Sequence, residues 1–224
     1  MDNVKISELY DLSHTLAADY LRGFQYPWEA LAGIKEMIRQ IGERLDPNLY
    51  QRIGEDIWIS KTATVAPTAY IGAPCIIGHN TEVRHCAYIR GSVLAGENCV
   101  IGNSTELKNC ILFDNVQVPH YNYVGDSILG YRSHMGAGAV TSNVKSDKTP
   151  VVIKGPDGKS IETDRKKVGA MLGDCVEVGC GSVLNPGTVI GRETSVYPLS
   201  SVRGVIPAGS IYKAAGNVVK RINK

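Results

Sequence analysis

A six-residue repeat constrains this chain more than any other feature. From residue 53 an aliphatic or other apolar residue recurs at every sixth position: Ile53, Ile59, Val65, Ile71, Ile77, Val83, Ile89, Ala95, Ile101, Leu107, Phe113 and Pro119. Glycine often follows, as in Ile53-Gly54, Ile71-Gly72, Ile77-Gly78 and Ile101-Gly102. A small or apolar residue recurs four places on, at Ala69, Cys75, Thr81, Ala87, Val93, Cys99 and Thr105. After 119 the register jumps to Leu129 and Met135. After an interruption the repeat resumes at Leu172, Val178, Leu184, Ile190, Val196 and Val202. A fixed short period over such a length marks a solenoid, in which each unit buries its apolar face against its neighbours.

The first part of the chain has a different period. Ile6, Leu9, Leu12 and Leu16, then Trp28, Leu31, Ile34, Met37, Ile38 and Ile41, recur at three- and four-residue spacing, as amphipathic helices require. Gly23–Pro27 breaks the two runs, and Asp46-Pro47-Asn48 ends the segment. The expected division is therefore a helical segment over 1–52 and a repeat domain over 53–224. An insertion occupies about 144–170 and a tail about 206–224. Within the insertion, Thr149–Lys154 and Lys159–Thr163 flank Gly155-Pro156-Asp157-Gly158 and predict a protruding β-hairpin. Gly158-Lys159-Ser160 is not a phosphate-binding loop, because that motif requires glycine where Ile153 stands.

Composition excludes several classes. A net charge of +2 gives no electrostatic case for nucleic acid. The basic end Lys220-Arg221-Ile222-Asn223-Lys224 is short and reads as a solvated terminus. No run approaches the roughly 20 apolar residues of a membrane helix, and the start lacks a signal sequence, so a cytoplasmic protein is expected. The cysteines at 75, 86, 99, 110, 175 and 180 form no Cys-x-x-Cys pair and read as small buried thiols.

The pattern aliphatic-Gly-x-x-small-x resembles the hexapeptide repeat of left-handed parallel β-helices. That resemblance implies an all-β prism in which three repeats make one triangular coil of about 18 residues. It also implies inward lead residues, glycine relieving the turns, and the helical segment capping an open end. Residues 18 apart then stack on one face. Arg90 and Lys108 have that spacing, as do Lys108 and Asp126. Two cations stacked about 5 Å apart repel unless an anion lies near. A solvated column and a phosphate clamp both fit the spacing.

A narrower resemblance covers about residues 85–205. Arg90, Lys108, His120-x-x-Tyr123-x-Gly125-Asp126 and Met135-Gly136-Ala137-Gly138 running to Asn143 are similar to the acetyltransferase domain of the bifunctional enzyme that makes UDP-N-acetylglucosamine. It implies an acetyl-CoA-dependent N-acetyltransferase acting on a phosphorylated amino sugar such as glucosamine-1-phosphate. His120 would be the general base; Arg90, Lys108, Tyr123 and Lys167 (or its neighbour Lys166) would hold the sugar phosphate. Asn143 would orient the amino sugar, and Ala137 and the residues near Cys180 would line the CoA site. It also implies a homotrimer with sites at the seams and no metal. His134 and Val144 replace an Asn and a Tyr of that family, so the acceptor is expected to differ. No Gly-x-Gly-Thr-Arg signature of a nucleotidyltransferase is present. The alternatives are a sugar-nucleotide-binding module without a base and a zinc hydratase. His79 and His85, six apart, fall on adjacent faces and do not converge on a metal.

Overall fold

The computed structural model describes residues 1–155 and 157–222. The repeat region is a parallel β-helix with three faces. The first face carries Thr64–Val65, Glu82–Val83, Val100–Asn103, Gln117–His120, His134–Met135, Glu177–Val178 and Ser195–Val196 in order. The second carries Tyr70–Ile71, Tyr88–Ile89, Val140–Thr141, Val183–Leu184 and Ser201–Val202. The third carries Ile57–Ser60, Cys75–Ile77, Val93–Ala95, Ala170–Leu172, Thr188–Ile190 and Val205–Ile206. Two strands, Glu106–Leu112 and Tyr123–Leu129, run from the second face onto the third.

The coil length is not constant. Tyr70 pairs with Tyr88, and Tyr88 with Glu106, a step of 18; Glu106 then pairs with Tyr123, and Tyr123 with Val140, a step of 17. Leu112 aligns with Ala95, and Val118 with Ile101. The slip therefore begins between Leu107 and Leu112, earlier than the sequence pattern suggests. The inward residues are Leu112 and Val118, not Phe113 and Pro119. The corner residues record the same slip. Asn80, Cys86, Ser92, Asn98 and Ser104 have positive φ at steps of six, followed at five by Asn109. The corners are thus turned by short polar residues that tolerate this conformation. The glycines after the leads serve close coil-to-coil approach instead. A Cβ at Gly102 would lie 1.5 Å from the carbonyl oxygen of Pro119. The small positions are explained by hydrogen bonds: Thr81 Oγ1 donates to the Gly96 carbonyl (2.8 Å) and accepts from Cys99 N–H (2.9 Å).

The helical segment does not cap an end. The helix Ile34–Gly42 packs along the third face, against Cys75–Ile77, Val93–Ala95 and Glu106–Leu112. The backbone carbonyls of His14 and Leu9 accept from Asp114 and Asp174 N–H, both at 3.0 Å. The outward residues Ile76, Leu94, Ile111, Ile128 and Met171 are consequently at 0% exposure. Helices and coils thus share one hydrophobic cluster.

Val152–Lys154 and Ser160–Glu162 form the expected antiparallel hairpin; Pro156 lies outside the described residues. Its inner side is packed, with Val151 and Ile153 fully buried beside Gly187. Residues after 206 continue the coil: Tyr212 pairs with Val196, and Ser210–Ala214 folds against Asn217–Lys220. Of the basic end, Asn223 and Lys224 lie outside the described residues. Cys75, Cys99 and Cys110 are buried, which pushes their thiols up; Cys86 and Cys180 are exposed, contrary to expectation.

Candidate active site

His120 ends its strand at the corner between the first and second faces. The next residue, Tyr121, turns the corner at φ 51°. Buried Asn122 holds this corner: its Oδ1 accepts from His120 N–H (3.1 Å), and its Nδ2 donates to the Gly136 (2.9 Å) and Ala139 (3.0 Å) carbonyls of the next coil. The His120 carbonyl accepts from Gly138 N–H at 3.0 Å. The imidazole is exposed and has no hydrogen-bond partner among the described residues.

Below His120 stands Ala137, because Gln117 pairs with His134 in the same register. Below Ala137 stands Cys180, because Met135 pairs with Val178 and the Ala137 carbonyl accepts from Gly181 N–H at 2.8 Å. The structure therefore brings His120, Ala137 and Cys180 into one column. Gly136 lets these coils approach closely. A Cβ at Gly136 would come within 2.7 Å of Cys180 N.

The other candidates gather at the far end of the second face, around Asp126. This residue turns the corner at φ 50° and is 3% exposed. Its carboxylate accepts from Lys108 Nζ through both oxygens (2.9 Å each), from Asn109 Nδ2 (2.8 Å) and from Asn143 Nδ2 (2.5 Å). Lys108 pairs in register with Gly125, one residue short of the expected stacking, and reaches Asp126 at the turn. Asn143 Nδ2 also donates to the Tyr123 hydroxyl (3.2 Å). Burial, then the nearby Asp126 and Glu106 charges, raises the Tyr123 phenol, so it stays protonated and free to donate. Arg90, one coil earlier, pairs with Glu106 at 2.8 Å, which holds its guanidinium above its usual range.

Each of the two cations therefore has a carboxylate beside it, Glu106 for Arg90 and Asp126 for Lys108. Lys167 lies exposed at the base of the hairpin, bridged to Val144, where Val168 N–H donates to the Asn143 carbonyl at 3.0 Å. His79 and His85 bond to Ser60 and Thr68 hydroxyls. Among the described residues no three His, Cys, Asp or Glu side chains converge as a metal site.

Sequence reasoning did not assign roles to Asn122, Glu106 or Asp126. Asp126 had a visible signal, the Gly125-Asp126 pair; Asn122 had none, since its partners lie 14 and 17 residues on.

The family described as GMPPB C-terminal domain matches residues 83–206, more than half of the chain. The chain belongs to that family. It is 32% identical over 181 residues to the bifunctional protein GlmU of Methanococcus maripaludis, covering 79% of this chain and 43% of that protein. It is 31% identical over 103 residues to a bifunctional sugar-1-phosphate nucleotidylyltransferase/acetyltransferase of Sulfurisphaera tokodaii, covering 46% and 25%. The chain thus spans less than half the length of these curated relatives. Among solved structures, the polySia-specific acetyltransferase NeuO matches at 14% identity over 71% of this chain and 80% of that chain, with a TM-score of 0.45.

Proposed function

We propose that the chain is an acetyl-CoA-dependent N-acetyltransferase acting on a phosphorylated amino sugar, with His120 as general base. The observation that carries this reading is the column of His120, Ala137 and Cys180 at one corner. An exposed imidazole stands directly above the small side chains of Ala137 and Cys180. A thioester laid along that column brings its carbonyl to the imidazole. The acceptor amine attacks the carbonyl as His120 takes its proton; the tetrahedral intermediate collapses, the C–S bond breaks, and the proton passes to the leaving thiolate. Arg90, Lys108, Tyr123 and Lys167 hold the phosphate, and Asn143 orients the sugar. The name of the Sulfurisphaera tokodaii relative, which includes an acetyltransferase, supports the same reading.

The reading also takes the chain as a homotrimer. The second face leaves Tyr70 at 61% and Tyr88 at 45% exposure, apolar area suited to burial against a copy. Light scattering of a monomer at micromolar concentration counts decisively against this assembly.

A second reading, a sugar-nucleotide-binding module without catalysis, is favoured by one observation: the His120 imidazole has no orienting partner among the described residues. The deciding experiment is His120→Ala, assayed by release of free CoA thiol with phosphorylated amino sugars. A positioned imidazole contributes about 10²–10⁴-fold, so kcat should fall by that factor while acetyl-CoA affinity persists. Turnover of the variant at the wild-type rate would assign the base to another residue; no thiol release by the wild type with any acceptor would leave the second reading.

A further inference from the structure

At the corner between the second and third faces lies a pocket of about 450 Å³ that separate parts of the chain wall. Arg90, Lys108 and Asn109 come from two neighbouring coils. Lys35 comes from the first turn of the helix Ile34–Gly42, and the Asn109 side chain ties that segment to the coils: its Nδ2 donates to the Leu31 carbonyl at 3.3 Å. Arg165 comes from the base of the hairpin insertion, where its carbonyl accepts from Val151 N–H at 2.8 Å. The four cations are not equivalent. Arg90 is paired with Glu106 at 2.8 Å and Lys108 with Asp126 at 2.9 Å, so these two pairs sum to no net charge. A phosphate brought to them alone meets both carboxylates as well. Lys35 and Arg165 have no acidic partner among the described residues, and the Nε of Arg165 is buried without a hydrogen-bond partner. The pocket thus carries two uncompensated positive charges, an arrangement that an anion relieves.

We propose that this pocket seats a single phosphate dianion, and that Lys35 and Arg165 supply the net charge that holds it. This rests on the reading of Arg90 and Lys108 as phosphate contacts given above, and adds to it two residues from outside the repeat. The charges match. A phosphate monoester carries about two negative charges near neutral pH, which Lys35 and Arg165 balance while Arg90 and Lys108 stay paired with their own carboxylates. The chemistry of the donors matches as well. The buried Arg165 Nε–H lacks an acceptor that a phosphate oxygen can be. Glucosamine without phosphate offers the pocket no negative charge, and its ammonium is repelled by both free cations. The helical segment and the hairpin insertion are then more than covers, because each contributes one cation to the pocket.

Calorimetry reads the pocket without catalysis. Inorganic phosphate, glucosamine-1-phosphate and glucosamine are titrated into the wild type, Lys35→Ala and Arg165→Gln. A control, Lys213→Ala, removes an exposed charge from the last coil. The wild type should bind both phosphates saturably, and glucosamine at least about tenfold more weakly. Lys35→Ala and Arg165→Gln should each weaken both phosphates by about tenfold or more, the loss of one charged contact. The control should stay within twofold of the wild type. Lys35 is exposed, so its variant keeps the test decisive if Arg165→Gln, checked by circular dichroism, loses its fold. Tighter binding of glucosamine-1-phosphate than of inorganic phosphate supports the pocket as the seat of the acceptor's phosphate; equal affinity supports it as a site for free phosphate. No saturable phosphate binding by the wild type, or phosphate affinity in Lys35→Ala within twofold of wild type, overturns the proposal. Phosphate binding that depends on Lys35, with no acetyl transfer to any acceptor, supports the pocket and sinks the transferase reading.

Discussion

The second and third faces are made by the same repeat, and two strands pass from one to the other, yet their outer surfaces are opposites. On Glu106–Leu112 the change comes within a few residues. Lys108 and Asn109 reach the Asp126 carboxylate, whereas Cys110 and Ile111 are at 0% exposure. Inward residues set the coil; outward residues decide whether a face becomes core or stays open for chemistry. The third face was made into core by the helical segment laid along it. The second face kept charged and aromatic side chains, and every candidate phosphate contact lies on it or at its edges.

The sharpest way to break this contrast is to place one charge on each face. Ile111→Asp buries a carboxylate without a partner beneath the helical segment, and should cost more than about 4 kcal/mol of stability in chemical denaturation. Tyr88→Asp on the open face should change stability by no more than about 0.5 kcal/mol in the monomer. Similar losses from both would mean that the second face is also covered.

Next in size is Asp126, where the open face holds its own buried charge. Asp126→Ala leaves Lys108, Asn109 and Asn143 without their common acceptor. Breaking a buried pair costs about 3–5 kcal/mol, and Lys108 is one-quarter exposed, so a loss near 3 kcal/mol is expected. A denaturation midpoint equal to wild type would show that the carboxylate does not organise this corner.

These residues also show what the sequence could and could not reveal. The prism was legible because inward aliphatics at a six-residue period have one simple physical cause. His120, Ala137 and Cys180 were singled out only by resemblance; their stacking in one column is a product of the register. The five-residue steps at Asn109 and Asp126 were not legible. Phe113 and Pro119 are as apolar as Leu112 and Val118, so composition cannot choose between the registers. The path of the helical segment was hidden as well. An amphipathic helix fits an open end or a side face equally, and only the outward aliphatics Ile76, Leu94 and Ile111 hint at the answer. With that path went the pocket that Lys35 lines together with Arg90, Lys108 and Arg165.

Arg90 tests the open face by ligand binding. Arg90→Met should weaken the phosphorylated acceptor by about 1.5–3 kcal/mol, the value of a charged hydrogen bond, and leave acetyl-CoA binding unchanged. Equal affinity for phosphorylated and unphosphorylated amino sugars in the wild type would sink the phosphate assignment.

The smallest effect belongs to His134, a residue whose sequence position invites a catalytic role. The structure puts it on the first face, between Gln117 and Glu177 on neighbouring coils and three residues before the Ala137 corner. Its Nδ1 lies 2.8 Å from Glu177 Oε2, and the two side chains are 33% and 57% exposed. Exposed pairs of this kind contribute about 0–1 kcal/mol. An asparagine amide can still donate to Glu177, so His134→Asn should lower Tm by no more than about 3 °C. Because His134 stands away from the His120 column, kcat with the native acceptor should stay largely intact. A loss of kcat as large as that of His120→Ala would move the base to His134, and with it the reacting carbonyl from the corner onto the first face.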